Sequence, residues 1–370
     1  MKRLIVTIAF SLVCLTSFAQ NTDDAQKAAA EAAAAISKAP ELKEAPPKPN
    51  YWTNTLLTKI NFGQTSLTNW AAGGNNSVSL QSFLDGNANY SKDNVVWSNR
   101  LQLDYGFIYS ADKPFIQKSN DRIYYESKYA YKAAKSLNYS ALFSFKSQFT
   151  NSYTYPVPSN KAGEEPTKSE WMDARLLKSG LFSPAYTDLG FGISWVPSKW
   201  LTVNIAPITG GFVIVSNDAL RPTYSMELRK LNSTEQAEYD EAIKQSYPNA
   251  IAKGNAIGKY YKWAKFEFGA KVTIDAKFNI NNNFNYTTQL VLFSDYLENP
   301  QNLRVNWDNR FDWKVAKYFS FMIVTNLIYD DKIYIVQDSD KDEFPSGRRR
   351  VQFKESMSFG FSYTFASKKK

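Results

Sequence analysis

From Tyr51 onward, apolar and polar side chains alternate with a period of two. Between Asn94 and Ser110 one parity holds Val95, Trp97, Leu101, Leu103, Tyr105, Phe107 and Tyr109, and the other holds Ser98, Arg100, Gln102, Asp104 and Gly106. Successive side chains of a strand point to opposite faces, so this is the pattern of a strand with one oily face. Residues 136–150 repeat it, with Leu137, Tyr139, Ala141, Phe143 and Phe145 against Asn138, Ser140, Ser144 and Lys146. In 265–280, Phe266, Phe268, Ala270, Val272, Ile274, Ala276 and Phe278 oppose Lys265, Glu267, Lys271, Thr273, Asp275 and Lys277.

The same test predicts twelve strands, near 55–67, 76–90, 95–109, 121–132, 136–150, 185–197, 200–214, 265–280, 283–295, 302–315, 318–330 and 350–365. Several exceed the ~5–6 residues usual in globular sheets and reach the ~9–11 that a tilted strand needs to cross a bilayer. Short connections at 91–94, 133–135, 198–199, 281–282 and 316–317 alternate with longer ones at 68–75, 110–120, 151–184, 215–264, 296–301 and 331–349. That alternation predicts an all-β fold, a transmembrane antiparallel up-and-down β-barrel of about 12 strands, with turns on the periplasmic side and loops outside. Trp97, Tyr129, Tyr139, Trp195, Trp200, Trp313 and Tyr363 fall near the turns, where amphipathic rings suit the head-group level.

The first fifty residues follow other rules. Lys2 and Arg3, the apolar run Leu4 to Leu15 and the small-residue exit Thr16 to Gln20 read as a cleaved signal peptide over 1–20. An Ala-rich, then Pro-rich stretch with no stripe of large apolar residues reads as a helix-prone periplasmic tether over 21–50, leaving 51–367 as the barrel. In loop 215–264, Ser233 and Gln236 stand at capping-box spacing and predict a short surface helix that Pro248 stops.

Composition narrows the chemistry. The chain has 370 residues, no His and one Cys, Cys14, inside the predicted signal segment. Imidazole and thiolate zinc sites, disulfide frameworks and Ser-His or Cys-His nucleophile pairs are therefore unavailable to the mature chain. The expectation is a protein that is not an enzyme and holds neither cofactor nor metal. Asp338 to Glu343 looks like the start of a calcium loop, but Glu343 and Arg349 stand where Gly and a bidentate Glu are required. Aromatic residues make up 15% of the chain, an excess that membrane-interface belts require. The net charge of +9 points to anionic lipid and lipopolysaccharide as partners, with no nucleic acid. The barrel-insertion machinery and a possible envelope protein partner complete the expected set.

The polar parity supplies candidate lumen-lining residues: Arg100, Asp104, Glu126, Lys146, Glu267, Lys271, Asp275, Arg304, Asp308, Arg310 and Asp312. Their signs alternate along single strands, as in Arg304, Asp308, Arg310 and Asp312. Two readings follow, a narrow channel for small hydrophilic or anionic solutes and a non-conducting barrel that serves as a structural or assembly partner.

The run Asn69-Trp70-Ala71-Ala72-Gly73-Gly74, with Tyr329-Asp330-Asp331, Gln352 to Glu355 and Gly360 to Phe365, resembles a family of outer-membrane β-barrels of unknown function found in Bacteroidota-type bacteria. The resemblance covers 51–365 and implies a barrel fold and an outer-membrane location, without an activity or substrate to carry over. Of its motif residues, Gly73 and Gly74 suit a tight turn, Trp70 an interface anchor, and Asn69 opens the run.

Overall fold

Alternation closes into a ring only if the last strand finds the first. In the computed structural model, which describes residues 50–65, 76–158, 165–298, 300–331, 334–335 and 348–367, it does. Residues 51–370 form one unit, separate from 1–50. The twelve barrel strands are β1 (Trp52–Thr65), β2 (Ser77–Lys92), β3 (Val95–Ser110), β4 (Ile116–Lys132), β5 (Leu137–Ser147) and β6 (Ala185–Ser198), then β7 (Leu201–Ile214), β8 (Ala264–Asn279), β9 (Phe284–Asp295), β10 (Leu303–Lys314), β11 (Phe319–Tyr329) and β12 (Gln352–Ala366). Each pairs antiparallel with its neighbours in sequence, and β1 pairs with β12 from Thr55↔Ala366 to Phe62↔Phe359. The closed, twelve-stranded up-and-down barrel leaves no free edge.

Register sorts the faces. Ile60, Phe62, Leu80, Leu101, Phe107, Phe191, Ile205, Phe212, Phe266, Met357 and Phe361 all lie exposed on the outside. Phe361 is 59% accessible, and nothing among the described residues covers that face. An apolar exterior with a polar interior inverts a soluble protein and is the surface a bilayer solvates. No helix among the described residues is long and apolar enough to cross a membrane. Trp97, Tyr129, Tyr139, Trp195, Trp200, Trp313 and Tyr363 are exposed near the turn end.

Three strand ends differ from expectation by three residues or more: β1 begins at Trp52 rather than 55, with Trp52 paired to Tyr90 of β2, and the other two have a local reason. β4 begins at Ile116 rather than 121. Ile116 to Asn120 has no oily face of its own, yet it pairs with Gly106 to Tyr109 of β3 across a bulge. β5 stops at Ser147 rather than 150, because the amides of Phe149 and Thr150 donate to the Asp121 carboxylate at 2.7 and 3.0 Å instead of to a ladder. Pro207 cannot donate to a ladder, and the β7–β8 register shifts at that point.

Tyr334–Ile335 pairs with Arg348–Arg349 in the connection between β11 and β12, and two longer loops carry the rest of the described structure. Between β5 and β6 lie a small hairpin, Ser152–Thr154 with Leu176–Ser179, and helix α1 (Lys168–Ala174), whose Trp171 packs towards Phe115. Between β7 and β8 lie α2 (Ser233–Lys244) and α3 (Ala250–Ile257). The expected surface helix is thus present, but its cap is one residue earlier, with Asn232 and Glu235 completing the capping box rather than Ser233 and Gln236. A small apolar core of Val213, Val215, Leu220 and Met226, with Leu177 and Ile251 against it, holds the two loops together over the β5–β8 side. Gly254 of α3 lies so close to the Ala219 carbonyl that any Cβ would collide with it, which seats the helix on the 3-10 turn Asp218–Leu220.

Candidate functional site

The inner wall is built by register alone, since every second residue of all twelve strands faces it. On β2 and β3, buried Asp85 accepts from Arg100 at 2.6 and 3.1 Å and from Gln102 at 3.0 Å. Lys59 of β1 pairs with Asp312 of β10, passing β12 and β11, while Arg310 Nε lies 2.7 Å from the same carboxylate. The Arg310 guanidinium also sits 4.8 Å over the Phe83 ring of β2. On the far side, Lys271 donates to Asp188 at 2.6 Å across β7, and Ser144 donates to the same carboxylate at 2.5 Å. Nearer the loops, Arg304 takes Glu267 in a fork at 2.7 and 3.0 Å and Asp330 at 2.9 Å.

Other inward carboxylates are held by neutral donors. Asp104 accepts from Gln81 at 2.8 Å, Glu126 from Tyr124 at 2.6 Å, Asp275 from Gln289 at 2.7 Å and Asp308 from Asn326 at 2.6 Å. Of these four, Asp104, Asp275 and Asp308 lie beside open space, as do the ion-paired Asp85 and Asp312, whereas Glu126 does not.

That space is a cavity of 1180 Å³. Its lining runs from Lys118, Asn120 and Tyr224 at the loop end to Lys199, Trp200 and Asn279 at the turn end, with nine Lys or Arg against six Asp. Of the residues read from the sequence, Arg100, Asp104, Lys146, Asp275, Asp308, Arg310 and Asp312 lie on the lining. Glu126, Glu267, Lys271 and Arg304 share the inner face but are tied into the wall. Amides missed by a reading of charges also line it, including Gln81, Asn87, Gln102 and Gln289, and so does Phe83, an aromatic on the polar parity. The amides carried the same two-residue period as the charges and were legible by it; Phe83 carried no signal. Asn69, Trp70, Gly73, Gly74 and the 338–343 stretch lie outside the described residues, as do 1–20 and 21–49.

Polar contacts order the two loops, which reach the cavity lining through Lys178 and Tyr224. The Arg229 guanidinium donates to Glu235 at 2.6 and 3.0 Å and holds that carboxyl below its usual range. Burial pushes the Tyr261 hydroxyl up to about 12, aided by its bond to Tyr239. Tyr224, likewise raised by burial, donates to the Lys178 carbonyl at 3.0 Å and ties one loop to the other above the cavity. Among the described residues no group of three His, Cys, Asp or Glu side chains is placed to hold a metal ion.

Residues 62–153 match a family described as protein of unknown function (DUF3078). No curated protein matches the sequence. Among solved structures, the chain is similar to the translocator domain of the autotransporter NalP from Neisseria meningitidis, at 10% identity and TM-score 0.36 over 92% of this chain and 98% of that one. It is also similar to the NanC porin, at 8% identity and TM-score 0.34 over 83% and 98% of the two chains. A third similarity is to an outer membrane channel from Pseudomonas putida F1, at 8% identity and TM-score 0.34 over 88% and 100%.

Proposed function

We propose that this chain is an outer-membrane barrel, exported by cleavage of its first twenty residues, whose lumen is a narrow path for small hydrophilic solutes that favours anions and performs no catalysis. The observation that carries the reading is the 1180 Å³ cavity, lined from loop end to turn end with an excess of cations. Fixed positive charge in a narrow conduit with low-dielectric walls raises the local concentration of anions and repels cations. The apolar exterior supports the membrane setting.

A second reading, a non-conducting barrel that acts as a structural or assembly partner, has an observation of its own. The Lys59–Asp312 pair and the Arg310–Phe83 contact reach from β10 to β1 and β2 and narrow the passage at their level. Recording refolded protein in a planar bilayer under a KCl gradient separates the two. Small current steps with an anion-selective reversal potential are expected. A barrel that migrates as folded on heat-modifiable gels and passes no current would overturn the channel reading and leave the second.

A further inference from the structure

We propose that Arg122 and Lys146 form an oxyanion-binding station in the loop-side half of the lumen, so that the path takes small carboxylate- or phosphate-bearing solutes by saturable binding. This rests on the lumen being a solute path. β4 and β5 pair with Tyr124 opposite Lys146, and β5 and β6 with Tyr186 opposite Lys146. Arg122 is the next inward residue along β4, a diagonal neighbour of Lys146 and within reach of so long a side chain. Its guanidinium lies 5.0 Å over the Tyr124 ring, and its buried Nε has no hydrogen-bond partner. Lys146 makes no ion pair or hydrogen bond among the described residues; the charges facing it are Arg122 beside it and Asp308 on the opposite wall.

The carboxylates that might have satisfied these cations are engaged elsewhere. Asp308 accepts from Asn326 at 2.6 Å and Asn306 at 3.1 Å, and Asp104, opposite Arg122 in register, accepts from Gln81 at 2.8 Å. By contrast Lys59, Arg100, Lys271, Arg304 and Arg310 each hold a carboxylate. The wall therefore gives its acceptors to amides and leaves two adjacent cations, both lining the cavity, without one. Lys146 is exposed to the lumen, and an ammonium beside a positioned guanidinium is the pair that a carboxylate or phosphate completes. Lys354, which donates to Asn120 at 2.6 Å across the mouth, adds positive charge on the approach from the loops.

Calorimetric titration of the full-length barrel in detergent with gluconate and with inorganic phosphate, against chloride at equal ionic strength, tests the station. Saturable binding of one or both oxyanions is expected, and the tighter of the two identifies the solute's charged group. Lys146→Gln and Arg122→Gln should each weaken it by about tenfold or more. Lys146→Arg should restore it, and Lys253→Gln on α3 should leave it unchanged. Because Lys146 has no partner to lose, Lys146→Met should keep or raise the unfolding midpoint while binding falls. A folded Lys146→Met that binds as the parent does would overturn the proposal, as would current in the bilayer without any saturable oxyanion binding. Binding without current would uphold the station and reject the path.

Discussion

Asp312 stands between two cations, Lys59 at 4% exposure and Arg310, and its neighbours on β11 include Met322, whose sulfur lies 3.6 Å from Lys59 Nζ. Removing a shared, half-buried carboxylate strands the buried Lys59 and leaves Arg310 unpaired, at a cost that for a fully buried pair is about 3–5 kcal/mol and serves here as the upper bound. Asp312→Asn should therefore lower stability by up to about 3 kcal/mol in reversible urea unfolding. Lys59→Met should cost clearly less, since Arg310 still holds Asp312. Equal losses would mean that the carboxylate is not what joins β1 to β10. On the outer face the same accounting explains the polar residues that interrupt the oily parity. Trp97 Nε1 donates to Ser127 at 2.9 Å, while Ser127 and Tyr125 donate to Asn99 at 2.9 and 3.0 Å. Trp307 donates to Thr288 at 2.8 Å and Tyr286 to Asn309 at 2.7 Å. Groups that satisfy one another can face lipid, where an unmatched donor or acceptor is expensive.

At the level of elements, the two faces of neighbouring strands β8 and β9 make opposite demands on the same side chain. Ala270 of β8 lies on the outward parity opposite Ser294, and Gln289 of β9 faces inward between Asp275 and Asp308. Ala270→Arg sets a guanidinium towards lipid and should destabilise the barrel by about 2–4 kcal/mol if it lies near mid-bilayer. Gln289→Arg sets the same group between two carboxylates and should be neutral or stabilising. The two unfolding midpoints check this, and a similar loss for both would invert the facing. Thr273 is a poorer inward probe than its parity suggests, because at 2% exposure it is packed into the wall. The helix of the β7–β8 loop shows how near the sequence came at this scale. Ser-Thr-Glu-Gln and Asn-Ser-Thr-Glu both offer capping-box spacing, and the pairing of Glu235 with Arg229 goes with the earlier cap.

For the whole molecule, closure fixes sidedness: all long connections emerge at one end and all short turns at the other. With Cys14 the only native thiol, single cysteines can map it. Glu241→Cys on exposed α2 should react with a membrane-impermeant maleimide on whole cells, whereas Asp93→Cys and Asn281→Cys at the turn end should react only after the envelope is opened. The reverse pattern would place the helices of the β7–β8 loop in the periplasm and overturn the orientation. The same global arrangement gives the cavity its charge, for its lining draws residues from strands all round the ring.

Strand number, facing parity and the alternation of loops with turns were all legible in the chain, because a two-residue period and the length of a connection are local properties that pairing only has to respect. Helices α1 and α3 were not: α1 is seven residues long and α3 eight, and the core that seats α3 joins residues of two different loops. Nor could the sequence say which lumen charges are satisfied. Lys59 and Asp312 stand 253 residues apart and Lys354 and Asn120 234, and each contact passes over intervening strands. Parity placed Arg310 and Lys146 on the same face with the same charge. Only the curvature of the closed wall and the reach of each side chain decided that Arg310 holds a carboxylate while Lys146, opposite two tyrosines, faces the cavity without one.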